Sequence, residues 1–204
     1  MPTPASMPSP DRFVTGLVLA AGGSSRLGRP KQLLPYGSGT LLDHVLGIAR
    51  VCPFDQRLCV VGGGASDVVA GVDFSGVQVV ENAAFGEGCS SSIAAALGAV
   101  DPRSDVVVLM LGDQPGVRAA SVGALVSGLG DAPVAACAYS DGRGHPLAFG
   151  RVLFGELASL HGDKGVWKLL DRYGDAVVDV PVEGAIPRDV DTWEDYEAVL
   201  AADH

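Results

Sequence analysis

Residues Asp105 to Leu111 read DVVVLML, an almost unbroken apolar run with no alternation of polar and apolar positions. A strand with one wet face alternates, so a run of this kind needs cover on both sides. It predicts a central strand held between two layers, which the rest of the chain must supply. Apolar runs at Phe13 to Ala20, Arg57 to Val61, Val77 to Glu81, Pro133 to Tyr139 and Ala176 to Val180 read as further strands. After a break at Gly142 to Gly144, Pro146 to Phe149 reads as a short edge strand. Helical spacing recurs near Thr40 to Val51, with Leu41, Leu42, Val45, Leu46 and Ile48 on the buried side, and from Ser90, read as a cap, to Val100. It returns at Ala119 to Leu129, Arg151 to Leu160, Val166 to Tyr173 and Thr192 to Ala201, where Thr192 and Asp195 are spaced as a capping box. Strands alternating with helices imply an α/β fold: a three-layer α/β/α sandwich around a mainly parallel, twisted, Rossmann-like sheet, without internal repeats.

Composition narrows what such a fold can serve. A chain of 204 residues with 48% hydrophobic content buries a large core, expected here as a single domain over residues 12–204. The first eleven residues, MPTPASMPSPD, are Pro- and Ser-rich without a basic or apolar segment, and are expected to be a disordered tail rather than a secretory signal. No apolar run approaches the ~18 residues of a membrane span. Cys52, Cys59, Cys89 and Cys137 form no CxxC pair and cluster with no histidine, so reduced thiols and a cytoplasmic location are expected. A net charge of −10 argues against nucleic-acid binding. Locally the sign inverts: no acidic residue lies between Asp11 and Asp43, whereas Arg26, Arg29 and Lys31 do, and such a patch could focus a small anion.

Those cations close the stretch LVLAAGGSSRLGRPK, Leu17 to Lys31. A buried strand opening into small residues lets backbone N–H groups approach a phosphate, here from Ala21 to Ser25. Gly23 and Gly28 are spaced as in a P-loop, but Arg29-Pro30 stand where that motif needs Lys and then Ser or Thr. The dinucleotide fingerprint is incomplete too, since Gly62-Gly63-Gly64 is followed by Asp67 where a third Gly belongs, so this stretch reads as a plain loop. Gly112-Asp113-Gln114-Pro115 follows the central strand. In open α/β sheets ligands bind beyond the carboxyl ends of the strands, which would bring both loops to one site. Asp113 at a strand exit suits a Mg²⁺ ligand, although Asp before Gln-Pro also suits a turn.

The loop motif Leu19-Ala20-Ala21-Gly22, Arg26, Gly28 and Lys31 resembles the MobA-like NTP transferase family, and within it most the molybdenum cofactor cytidylyltransferases. The resemblance continues through NAAFGEGCSSSIAAAL at Asn82 to Leu97, LGDQP at Leu111 to Pro115, GHPLAF at Gly144 to Phe149, GDKGVWKLL at Gly162 to Leu170 and DVDTWEDYEAV at Asp189 to Val199. It implies a nucleotide-diphospho-sugar transferase-like fold and Mg²⁺-dependent transfer of CMP from CTP to a phosphorylated acceptor, molybdopterin, with release of pyrophosphate. A molybdenum enzyme that receives the product would be a further partner. A phosphate monoester, with a second pKa of about 6, is already ionised near neutrality and needs no general base. Positioning and charge neutralisation remain.

By the same resemblance, Arg26, Lys31 and Asp113 are the catalytic residues. Leu19, Ala20, Ala21, Gly22, Gly23, Ser24, Ser25, Arg26, Lys31, Asn82, Ser90 and Ser91 bind nucleotide, and Asp113 with Asp191 holds the metal. Gln114, His145, Asp163 and Lys164 would contact the acceptor, while Cys89 has no assigned role. Plainer roles stay open: Asp189 and Asp191 precede a helix and would favour its positive end, Ser90 could simply cap, and a lone His is often structural. Within the family LAAG goes with CTP and LAGG with GTP. GTP or another acceptor, a nicotinamide-dependent reductase, a description some relatives carry, and a noncatalytic cofactor chaperone are the alternatives.

Overall fold

The computed structural model of this protein describes residues 12–24 and 26–202. The expected tail and Ser25 lie outside them. Strand β1 (Val14–Ala20) leads through a loop to a small hairpin, β2 (Pro35–Tyr36) with β3 (Gly39–Thr40), and into α1 (Leu41–Val51). The chain continues as β4 (Gln56–Val61), α2 (Ala65–Gly71), β5 (Gln78–Glu81), α3 (Cys89–Leu97) and β6 (Val106–Leu111). Then come α4 (Ala119–Gly128), β7 (Val134–Tyr139), β8 (Gly142–Gly150), α5 (Phe154–Ala158), α6 (Gly165–Tyr173), β9 (Val177–Pro181) and α7 (Trp193–Ala202).

A seven-stranded sheet in the order β5-β4-β1-β6-β8-β7-β9 forms the middle layer. Strands β5, β4, β1 and β6 are parallel to one another, β8 is antiparallel to β6 and β7, and β9 is parallel to β7. The apolar run from Val106 occupies the centre, as its lack of alternation requires. Val106, Val108 and Met110 pack on one face with α1, α2 and α4, whereas Val107 and Leu109 pack on the other with α3, α5 and α6. A third cluster ties the loop after β1 to the hairpin and α7 through Leu27, Leu34, Tyr36, Val190 and Tyr196. Burying each large aliphatic side chain contributes roughly 1.5–3 kcal/mol, so these clusters fix where the strand ends point.

Several expectations need correction. Residues 146–149 belong to β8, which lies inside the sheet and begins at Gly142; the glycines pair with β7 across a register shift at Ala136/Cys137 instead of breaking the strand. Residues 62–64 form the expected loop, but it leads into α2, which the sequence reading does not include. That helix buries only Val68, too little to leave a readable period. Ser90 does not cap α3: Gly88 does, at φ +98°, and Ser90 Oγ instead donates to the Gly162 carbonyl at 2.5 Å. On α1 Ile48 packs half-buried against the core as expected, and Ala49 is fully buried in addition. The capping box at Thr192 and Asp195 is present, and Thr40 with Asp43 forms a second one on α1. No helix among the described residues is long and apolar enough to cross a membrane.

Candidate active site

The parallel strands β1, β4, β5 and β6 end on one side of the sheet, and their exits meet there. Two glycines allow the closeness. A Cβ at Gly112 would lie 2.9 Å from Ala20 Cβ and 3.0 Å from the Leu19 carbonyl; one at Gly62 would lie 2.9 Å from Ala21 Cβ. The loop after β1 is held from within. Gln32, 2% exposed, donates through Nε2 to the carbonyls of Ala20 at 2.6 Å and Gly22 at 3.2 Å. Ser24 takes a left-handed φ of +49°, and its Oγ accepts from the Lys31 amide at 2.9 Å. A non-glycine residue in that region costs about 1–3 kcal/mol, which the surrounding bonds must offset. Leu27 plugs the far side of the loop into the third apolar cluster.

Lys31 is nearly buried, and its Nζ donates to Asp113 Oδ2 at 2.5 Å and Asp191 Oδ1 at 2.7 Å. Asp191 reaches this point because the Val190 amide bonds the Asp113 carbonyl at 3.0 Å, seating residues 189–191 beside the strand exit. Burial opposes charge on Lys31, but Asp113 and then Asp191 outweigh it and hold its pKa above the ordinary lysine value. Arg26 is exposed and stands 3.8 Å from Asp191 Oδ2, a loose surface pair. Arg29 is exposed.

The expected basic patch is therefore corrected. A cleft of about 840 Å³ opens here between residues 21–23 and 85–89, and Glu87, Asp113, Asp163, Asp189 and Asp191 line it. Asp113 and Asp191, from distant parts of the chain, converge on Lys31, and Asp191 also stands near Arg26. Asp189, which the sequence offers only as a residue before a helix, also lines the cleft, and burial and then the nearby Asp113 raise its pKa. Gln32 and Phe85 also stand at the site, and the sequence signals Gln32 only by its place next to Lys31.

Other expected residues divide between the cleft and its scaffolding. Asn82 Nδ2 donates to Ser91 Oγ at 2.9 Å and Ser92 Oγ at 3.0 Å, and its Oδ1 accepts from the Ala84 amide at 2.9 Å, bracketing the turn into α3. Asp163 lines the cleft while its Oδ1 accepts from the Cys89 amide at 3.0 Å, so it serves as the N-terminal acceptor of α3. Gln114 is buried, with Nε2 donating to the Pro187 carbonyl at 3.1 Å and Oε1 without a partner among the described residues. The structure does not bring His145 or Lys164 to the cleft lining. His145 is buried edge-on to Trp167 at 5.4 Å, and desolvation lowers its pKa to about 4. Lys164 is exposed at the start of α6.

Asp113 and Asp191 are the residues that could hold a metal. Their oxygens meet at one ammonium, and a pair of hard carboxylates matches what Mg²⁺ takes from a protein when phosphate oxygens and water complete its shell. Among the described residues no group of three or more His, Cys, Asp or Glu side chains is placed to hold an ion by itself.

The chain is 33% identical over 161 residues to the nicotine blue oxidoreductase of Paenarthrobacter nicotinovorans, covering 74% of this chain and 78% of that one. The crystal structure of an Rv0371c homolog from Mycobacterium sp. strain JC1 superposes with a TM-score of 0.87 at 51% identity, covering 93% of this chain and 96% of that one. Rv0371c of Mycobacterium tuberculosis H37Rv, solved in complex with manganese, superposes at 0.82 with 45% identity, covering 93% of this chain and 99% of the other. The MobA-like NTP transferase domain matches residues 16–177, which takes in the loop after β1, the α3 turn, Asp113 and β8. The chain belongs to the MobA-like NTP transferase domain family of nucleotidyltransferases.

Proposed function

We propose that the protein transfers CMP from CTP to a phosphorylated acceptor, molybdopterin, in a Mg²⁺-dependent reaction that releases pyrophosphate. The observation that carries this reading is the meeting of Lys31, Asp113 and Asp191 at the strand exits. A triphosphate-binding cation and a pair of metal-binding carboxylates occupy one point, beside a loop whose backbone faces the cleft. An oxygen of the acceptor phosphate attacks the α-phosphorus, and the bond from that phosphorus to the β-bridging oxygen breaks. Pyrophosphate leaves with the electron pair.

Each residue has a part in this. Backbone N–H groups of the loop after β1 orient the triphosphate. Lys31 offsets charge on the departing pyrophosphate, and Arg26 adds to the field from the rim. Gln32 and Ser24 keep the loop in shape through the bonds they make to it. Asp113 and Asp191 would hold Mg²⁺, which supplies charge neutralisation and alignment of phosphate oxygens when bound. That the M. tuberculosis relative was solved in complex with manganese supports a role for a divalent ion. LAAG at Leu19 to Gly22, by family resemblance, favours CTP over GTP. A cytoplasmic location suits the free thiols Cys52, Cys59, Cys89 and Cys137, and a molybdenum enzyme is the expected receiver of the product.

A second reading comes from the relative named nicotine blue oxidoreductase. It would need a dinucleotide seat at the glycines after β4. That turn is already filled: a Cβ at Gly63 would meet Gly23 Cα at 3.2 Å and the Phe85 ring at 3.1 Å. Pyrophosphate release measured with CTP, GTP and ATP and molybdopterin, alongside NAD(P)H oxidation, tests both readings. CTP-dependent release that Asp113→Ala lowers by at least about 100-fold supports the transferase. Release unaffected by Asp113→Ala removes the metal assignment. Acceptor binding without release points to a noncatalytic carrier, and hydride transfer without release to the reductase.

A further inference from the structure

One wall of the cleft is not used by the chemistry above. Phe85 lines it, yet remains 40% exposed, one of the few large apolar side chains left open to water. Its ring is supported rather than covered. A Cβ at Gly62 would stand 2.6 Å from Phe85 Cβ, one at Gly63 would stand 3.1 Å from ring atom Cε2, and one at Gly23 would stand 3.9 Å from that same atom. Three positions without side chains, drawn from the loops after β1 and β4, thus let backbone seat the ring edge. The ring meets backbone at its Cε2 edge and lines the cleft with much of its surface open.

Gly23 belongs to the loop to which the proposed function assigns the triphosphate. A base joined to that triphosphate through one ribose must lie in the neighbourhood of the loop, and the acceptor carries no such tether. We propose that Phe85 is the stacking platform for the base of the bound nucleotide, supplying affinity without choosing among bases. This rests on the nucleotidyltransferase reading. Every base has a π-face that an offset aromatic ring can meet, and a phenyl ring has no donor or acceptor with which to read a base edge. Base choice therefore falls to other groups, and Phe85 serves any nucleotide alike.

Calorimetric titration with inorganic tripolyphosphate, CTP and GTP, each with Mg²⁺, tests the assignment on wild type, Phe85→Ala, Phe85→Leu and Phe85→Trp. Stacking predicts that Phe85→Ala weakens CTP and GTP equally, by about 5- to 100-fold. Phe85→Leu should be intermediate, Phe85→Trp should retain affinity, and tripolyphosphate should bind all four proteins alike. A parallel loss for tripolyphosphate would mean that the ring only props the loop, and it overturns the proposal. So does a loss confined to one base, or nucleotide binding indifferent to residue 85. Wild-type protein that binds no nucleotide overturns the nucleotidyltransferase reading along with the platform, an outcome distinct from indifference at residue 85.

Discussion

Lys31 and Arg26 occupy the same loop and both approach Asp191, yet they should behave oppositely on mutation. The Lys31–Asp113 pair has side chains only 11% and 19% exposed, whereas Arg26 and Asp191 are 70% and 53% exposed. Removing one partner of a shielded pair strands the other charge; removing a surface partner strands nothing. Lys31→Met leaves two carboxylates facing each other and should cost about 1–3 kcal/mol, less than a fully buried pair because Asp191 is half-exposed. Arg26→Ala should change stability by less than about 0.5 kcal/mol while raising the KM for nucleotide. Urea midpoints measured beside pyrophosphate release separate the two outcomes. His145 makes a different prediction, because its pKa falls from 6.5 to about 4 through burial. Above that window the imidazole is neutral in folded and unfolded chains alike. Within it the unfolded chain accepts a proton that the folded chain refuses, so stability declines as pH falls. His145→Phe should abolish this component, and the difference between the two proteins' urea-derived stabilities should approach about 3 kcal/mol at the acid end.

Among the elements, caps and close approaches decide where functional groups stand. Asp195 Oδ2 accepts from the Thr192 amide at 3.0 Å, and the Thr192 hydroxyl accepts from the Asp195 amide at 3.2 Å, so α7 begins directly after Asp191. Thr192→Ala should lower stability by about 1 kcal/mol. Because the frayed turn carries Asp191 with it, catalysis should fall further than lost folded protein explains, as activity per folded molecule will show. Gly112→Ala pushes a methyl into Ala20 and the Leu19 carbonyl and should cost about 1–3 kcal/mol. Gly123→Ala, in α4 with nothing within 4 Å, should instead stabilise by about 0.4–1 kcal/mol. Thermal melts of the two alanine variants provide the contrast. The same elements show what sequence could reveal. The run at Val106 announces a strand buried on both faces because its own side chains record both environments. Strand β8 is hidden because glycine and proline are usually punctuation, and here the neighbouring strand, not propensity, makes residues 142–150 extended. The α3 cap is hidden because its acceptor, Asp163, lies 74 residues further along the chain.

For the molecule as a whole, the loop after β1 was legible from its residue types and offsets, but its electrostatics were not. A chain of net charge −10 lines the cleft with five of its 24 acidic residues, Glu87, Asp113, Asp163, Asp189 and Asp191, two of them bonded to Lys31. CTP with Mg²⁺ should therefore raise the melting temperature far more than CTP with a chelator, since the cleft otherwise repels the nucleotide. At 100 times Kd a ligand specific for the folded state adds about 2.7 kcal/mol, well within what a thermal shift resolves. A shift independent of divalent ion would contradict the two-carboxylate arrangement. The span of the site has a consequence for biosynthesis. Lys31 and Asp191 are 160 residues apart, and at about 5–20 residues per second a ribosome takes roughly 8–30 s to supply the second after the first. Asp113 arrives about half-way through, so for the second half of that interval a nascent chain can own the loop and its first counter-charge and still lack the second carboxylate on its lysine, and a polypeptide cut short in translation cannot counterfeit the site.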